Sequence, residues 1–150
     1  MNTPHSANIE YKINGPVSAE QFIHLLNSST LGARRPTHDL ACMTGMVENS
    51  NLMISAWDTR EANKLVGIAR SVTDFHYACY LSDLAVAESH QQLGIGKKLQ
   101  QLTQDQLGPQ CKLILLAAPA AADYYPHLGY EHNPRCFVLD RDTNINSKNT

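Results

Sequence analysis

Between residues 81 and 99 the chain reads LSDLAVAESHQQLGIGKKL, with Gln91, Gln92, Leu93, Gly94, Ile95 and Gly96 standing between an apolar run and a helical pattern. A glycine has no β-carbon, so a phosphate can approach the backbone closely there. The first N–H groups of the following helix have no intrahelical partners, and the helix dipole favours negative charge at that end. Lys97 and Lys98 add positive charge beside the same turn. These residue types in this order make a cradle for a pyrophosphate. A G-x-G alone is a weak signal, because glycine-bearing helix starts that bind nothing are common. A dinucleotide fingerprint fails, since the position of its third glycine holds Leu99 and no acidic residue ends the next strand. A Walker-type G-x-x-x-x-G-K-[ST] is absent.

A second pattern follows in LILLAAPAAADYYPHLGY, where Tyr124-Tyr125 precedes Gly129-Tyr130. Gln91-x-x-Gly94-x-Gly96, after a strand ending Leu84-Ala85-Val86, resembles the acetyl-CoA signature of the GNAT (Gcn5-related N-acetyltransferase) family. The aromatic pair and the Gly-Tyr stand in the family's order and spacing, so the likeness covers residues 65 to 139. The resemblance implies that backbone N–H groups from Gln92 to Lys97 hold the pyrophosphate. It implies that the main chain of Leu84, Ala85 and Val86 pairs with the pantetheine arm. A bulge in that strand would open the sheet into a V between two parallel strands, the second at 112–118. The amide of Leu84 or Val86 would then polarise the thioester carbonyl. The family often has Asn or Ser near the end of the fifth strand, whereas this chain has Ala118-Pro119, which leaves that contact unassigned.

Acetyl transfer needs a neutral amine and a proton for the leaving thiolate. Tyr125 occupies the family's general-acid position, and an ordinary phenol pKa of about 10 lets it reprotonate a thiolate of about 8.5 without ionising first. The other catalytic candidate is Asp83, which could attract a cationic amine or pass its proton to water; a structural carboxylate is the competing reading. Strand alternation puts Tyr80, Ser82 and Leu84 on one face and Asp83 on the other, unless a bulge resets the phase. Some family members that acetylate polyamines carry acidic residues where Ser82 and Asp83 stand, and Ser82 departs from them. Tyr124 reads as core. His76 reads as a turn residue and His90 as a solvated neighbour of the phosphate loop. Arg34, Arg35 and His38 lie in a loop region that covers the acceptor site in the family, where they could meet a carboxylate. No His/Cys/Asp cluster has metal spacing, so no metal is expected.

These residues need a scaffold. Apolar periodicity predicts strands at 9–13, 51–57, 65–72, 77–86, 112–118 and 136–139. It predicts helices at 19–27 with Ser18 as cap, a second with Thr37 as cap running through Met46 and ending near Asn49, one at 94–107, and a short one at 120–128. The expected fold class is α/β. It has a mixed, mostly antiparallel central sheet with helices on both faces and the V-shaped opening of the acyl-CoA N-acyltransferase fold. Residues 1–142 read as a single domain and 143–150 as a polar tail.

With 43% hydrophobic residues and a net charge of -2 over 150 residues, the chain has material for a core but no field to attract nucleic acid or an anionic membrane surface. Four separated cysteines form no C-x-x-C pair, and Cys79 and Cys111 sit in apolar runs, which suits reduced thiols. The amino terminus lacks a secretory pattern, and the longest apolar run, at 113–122, is shorter than the ~20 residues that span a bilayer. A cytoplasmic location is expected. The implied activity is transfer of acetyl from acetyl-CoA to a small-molecule amine; a non-catalytic acyl-CoA sensor is the alternative. A protein lysine or N-terminus ranks below small amines, for want of an acidic groove. The resemblance implies a possible homodimer, since members of that family often pair, with the late strands as one possible interface.

Overall fold

The computed structural model describes residues 8–146. Of the expected tail, residues 147–150 lie outside the described residues, as do the first seven residues of the amino terminus. The chain forms two compact units, one ending at Leu116 and one beginning at Ala117.

The first unit is built on a five-stranded sheet in the order of the chain: β1 (Ile9–Ile13), β2 (Leu52–Asp58), β3 (Lys64–Thr73), β4 (Ala78–Val86) and β5 (Lys112–Ile114). The first three neighbouring pairs are antiparallel and β4–β5 is parallel. Three α-helices cover this sheet: α1 (Ala19–Asn27), α2 (Leu40–Glu48) and α3 (Ile95–Asp105). Ser18 caps α1 through a reciprocal box with Gln21, satisfying two orphan donors at once.

Helices α1 and α3 lie on opposite faces. On β3, Gly67 and Arg70 are three residues apart and so point to opposite sides. A β-carbon at Gly67 would stand 3.0 Å from Ile95 Cγ2 and 3.1 Å from Leu99 Cδ1, both on α3. Arg70, by contrast, stacks on the Phe22 ring of α1, with Cζ 5.9 Å from its centroid. The core fills both sides. Phe22, Leu25, Leu26 and Met43 are buried from α1 and α2, Ile95 and Leu99 from α3, and Ile54, Val66, Ile68 and Leu81 from the strands. The absence of a side chain at Gly67 lets α3 sit close on the sheet, which fixes where its N-terminus begins.

Several expectations needed correction. The second helix starts at Leu40, not near Thr37, because Asp39 and not Thr37 caps it by accepting from the Cys42 N–H. A 3₁₀ turn, Thr30–Arg34, occupies the loop before it. The strand expected at 112–118 keeps only Lys112–Ile114, the residues that find partners on β4.

In the second unit, the helix expected at 120–128 resolves into a 3₁₀ turn, Pro119–Ala121, and a single α-turn, α4 (Tyr124–His127). The strand expected at 136–139 is not formed. Phe137, Val138 and Leu139 are 92%, 66% and 56% exposed, and an apolar segment without a partner strand has no ladder to join. None of the unit's described residues is buried.

Candidate functional site

Strand β4 carries the centre of the site. Its ladder with β3 runs Val86, Ala85, Leu84 and Asp83 against Gly67, Ile68, Ala69 and Arg70, then jumps so that Leu81 faces Ser71. Ser82 is therefore an extra residue, a β-bulge. The bulge resets the phase. Tyr80 (opposite Val72) and Asp83 (opposite Arg70) come to lie on the α1 side, while Leu84 points to the α3 side. Plain alternation had placed Tyr80 with Leu84 and away from Asp83.

The strand's other edge is open. Strand β5 pairs only with Ala78, Cys79 and Tyr80, and beyond Tyr80 the β4 edge has no strand partner among the described residues. Successive amides point to opposite edges of a strand. The Ala87 N–H bonds the Val66 carbonyl on the β3 side, so the amides of Leu84 and Val86 point to the open edge. The V-shaped opening follows from this early end of pairing.

At the foot of that edge the chain makes a 3₁₀ turn, Glu88–His90, and passes through Gln91 to Gly94 before α3. Gln92 and Gly94 have φ of 65° and 77°, and Gly94 is the N-cap of α3 with no side-chain bond. Left-handed residues in a turn aim successive N–H groups toward a common point, a concavity suited to anions. Among the described residues, no N–H from Gln92 to Lys97 has a hydrogen-bond partner; the first bond of α3 runs from Lys98 to Gly94. A β-carbon at Gly94 would meet nothing within 4 Å, so the space above the loop is clear of protein. Gln91, Gln92, Gly94, Lys97 and Lys98 are exposed, Leu93 and Gly96 half-buried, and Ile95 buried as the anchor of the turn. The structure thus brings together all ten residues expected to bind the donor: Leu84 to Val86 on the edge, Gln91 to Lys97 on the turn. The N–H groups of the turn fit a pyrophosphate, and of the strand residues Leu84 and Val86, not Ala85, turn their amides to the open edge.

Asp83 is fully buried, and both of its oxygens are taken. Arg35 Nε donates to Oδ1 and Arg70 Nε to Oδ2, each at 2.5 Å. Arg35 also donates to the carbonyls of Ser82 (2.9 Å) and Arg34 (2.9 Å). Arg70 donates further to Ser82 Oγ, Ser50 Oγ and the Met46 carbonyl near the end of α2. Sealed from solvent and with each oxygen accepting from a guanidinium, Asp83 is not presented to an incoming amine. Arg70 was not singled out in the sequence, where it stands inside the apolar run LVGIARSV. The signal was available, because a charged residue in a strand that is otherwise buried requires a buried partner.

His90 is also not where the sequence put it. It is buried, with Nε2 2.8 Å from Asp58 Oδ2 and Nδ1 2.7 Å from Ser89 Oγ. That contact ties the turn before the loop from Gln91 to Gly94 to the end of β2. The hydrogen bond from His90 holds the Asp58 carboxyl below its ordinary value, against the opposing effect of burial. Asp58, Glu61 and His90 offer ligand atoms within 4.8 Å of one another, a trio that sequence spacing concealed, although the direct His90–Asp58 bond already uses two of its atoms.

His76 and His38 are exposed, the former at the turn before β4. All four cysteines are free; Cys79 is buried, Cys111 half-buried, Cys42 and Cys136 exposed.

In the second unit Tyr125 is half-buried, edge-on to the rings of Tyr124 and Tyr130 at 5.2 and 5.5 Å. Burial, with a smaller push from Tyr124, raises the Tyr125 phenol above its ordinary value of 10. Tyr124, expected in the core, is 40% exposed, since a one-turn helix shields only one of two adjacent rings.

Residues 50–132 match the family model described as an acetyltransferase (GNAT) domain, more than half of the chain and the whole stretch from β2 through Tyr130. The chain belongs to the GNAT acetyltransferase family. A curated relative of this GNAT protein, the uncharacterized N-acetyltransferase ycf52 of Pyropia yezoensis, is 32% identical over 94 residues, 59% of this chain and 52% of that one. The chain spans about half the length of that relative. Its fold is shared with a GNAT family acetyltransferase of Streptococcus pneumoniae TIGR4, with TM-score 0.68 and 21% identity over 90% of this chain and 100% of that one. It is shared also with an aminoglycoside N-acetyltransferase solved with CoA, at TM-score 0.67 and 16% identity over 95% and 100% of the two chains. Among the described residues of this GNAT chain, no helix is long and apolar enough to cross a membrane.

Proposed function

We propose that this protein is an acetyl-CoA-dependent N-acetyltransferase that acetylates the primary amine of a small molecule by direct attack. The observation that carries the reading is the run of unpartnered N–H groups from Gln92 to Lys97 at the foot of the open β4 edge. The run suits the pyrophosphate of CoA, and the outward amides of Leu84 and Val86 suit its extended arm and the thioester carbonyl.

In the reaction the amine nitrogen bonds to the thioester carbonyl carbon and the C–S bond breaks. The thiolate takes a proton, and the new ammonium group loses one to water. Tyr125, by its place in the family motif, is the donor of the first proton, and its raised phenol stays protonated at neutral pH. Asp83 acts by positioning: it fixes Arg35 and Arg70 at the bulge. The protein is expected to work in the cytoplasm, without a metal.

One observation favours a second reading. With both Asp83 oxygens occupied, no carboxylate at the bulge is free to serve as a base, which suits an acyl-CoA sensor on the same fold. Two measurements decide. Calorimetric titration should show acetyl-CoA binding to the folded protein, and its absence sinks both readings. An amine panel monitored by free thiol should show turnover; binding without turnover leaves the sensor.

A further inference from the structure

We propose that Arg35 binds a carboxylate of the acceptor, which is therefore a small amine bearing a carboxylate together with an apolar or aromatic group. The inference rests on the transferase reading above and names its substrate class.

Two guanidinium groups meet one carboxylate at the β4 bulge, and among the described residues no second carboxylate lies within 4.0 Å of either. The cluster carries a surplus positive charge, and a buried surplus is costly unless something neutralises it. The two arginines do not share that surplus equally. Arg70 is sealed, with a side chain 7% exposed, and besides Asp83 it meets two hydroxyls and the Met46 carbonyl near the end of α2, where the helix dipole is negative. Arg35 meets only neutral carbonyls besides Asp83, and its side chain is 22% exposed.

The bonding pattern leaves Arg35 with donors to spare. Arg35 spends Nε–H on Asp83, one Nη1–H on Arg34 and one Nη2–H on Ser82. One N–H remains on each terminal nitrogen, and a guanidinium with donors on both is matched to the two oxygens of a carboxylate. Asp83 and the Ser82 carbonyl hold the group rigid, so little side-chain entropy is lost when a ligand binds.

The neighbouring surface is apolar. Through the bulge Tyr80 shares the face of Asp83, and it pairs with Val72 on one side and Ile114 on the other. These three are 40%, 49% and 44% exposed, a continuous row across three strands beside the cationic group. A polyamine finds no anion here and a positive charge to repel it. An amine with a carboxylate and an apolar body finds both of its parts matched.

The test compares matched acceptors with wild-type protein: an aromatic or branched α-amino acid against its carboxamide, with a linear diamine as third arm, each followed by thiol release from acetyl-CoA. The carboxamide has the less basic amine, so more of it is free to attack at neutral pH, and any preference for the carboxylate must come from the protein. The expected result is a preference in kcat/KM of about tenfold or more for the carboxylate acceptor. In an Arg35→Gln variant, the ratio of kcat/KM for the carboxylate acceptor to that for its carboxamide should fall toward one, a ratio that a general loss of activity or stability leaves unchanged. Equal or better use of the carboxamide or the diamine overturns the inference and leaves the transferase reading intact. No thiol release from any arm, with acetyl-CoA still bound, overturns both.

Discussion

Asp83 and Tyr125 are opposite cases at the scale of a residue. A carboxylate held by two guanidiniums at 0% exposure belongs to the architecture, so replacing it should be felt first in stability. Asp83→Asn leaves two guanidiniums facing a neutral amide, and removing one partner from a buried ion pair costs about 3–5 kcal/mol. Urea unfolding should show a loss of unfolding free energy of that size, read as a lower midpoint at unchanged slope, and a variant of native stability that is merely inactive would contradict the positioning role. Tyr125→Phe should do the reverse. It should lower kcat by roughly 10²-fold or more, the contribution of a positioned general acid, with acetyl-CoA affinity and the unfolding midpoint unchanged. Asp58 adds a pH signature. Its folded carboxyl lies below the ordinary value of 3.8, so the stability it contributes is fully present above that value. The contribution is lost as pH falls through the lower folded value. The gap in unfolding temperature between wild type and Asp58→Asn should therefore be full at pH 6 and close progressively in acid.

Strand, turn and helix form a single device at the scale of elements, and the glycines within it have separable duties. Gly94 is needed for its φ of 77°, since a β-carbon there meets nothing; Gly67 is needed for space, since its φ is ordinary and α3 lies against it. Gly94→Ala should cost about 1–2 kcal/mol from the left-handed conformation alone, and it should weaken acetyl-CoA binding by placing a methyl at the rim of the cradle. Gly67→Val, by forcing side chains between β3 and α3, should lower stability by about 1–3 kcal/mol and shift the whole turn from Gln91 to Gly96. Calorimetry on both, beside urea unfolding, separates the two effects.

These elements also show what the chain makes legible. The turn from Gln91 to Gly96 and the strand before it were readable because glycine placement and apolar runs are local signals. The bulge at Ser82 was not, because it is a matter of register between β3 and β4, and one extra residue brings Asp83 onto the same side of the sheet as Tyr80. The links from Arg35 and Arg70 to Asp83, and from His90 to Asp58, join residues 13 to 48 positions apart. No periodicity reports contacts at such separations. The run 136–139 failed for the opposite reason: its local pattern suits a strand, but a strand exists only where another offers its edge.

The whole molecule divides its burial unequally, and that division bears on how ligand and stability are coupled. Every buried residue described lies before Ala117, and from that point on no described side chain is buried. The turn from Gln91 to Gly96 is joined to the buried part, anchored by Ile95 and Leu99 beneath α3 and by the bond between His90 and Asp58. Acetyl-CoA that binds the native turn, and not the unfolded chain, must therefore raise the stability of the core itself. At a free concentration of 100 times Kd the gain is about 2.7 kcal/mol. For a chain of 150 residues that corresponds to a rise of roughly 5–10 °C in the unfolding midpoint. Limited proteolysis supplies the spatial half of the same prediction. Cleavage should begin among residues 131–146, which are exposed and without regular structure, while the fragment ending near Leu116 persists. If acetyl-CoA binds at the turn, it should slow the subsequent loss of that fragment, because the ligand stabilises the elements that enclose it. A ligand that left both the midpoint and the fragment's lifetime unchanged at 100 times its Kd would have to bind outside the core that unfolds with the turn, or bind the unfolded chain equally well.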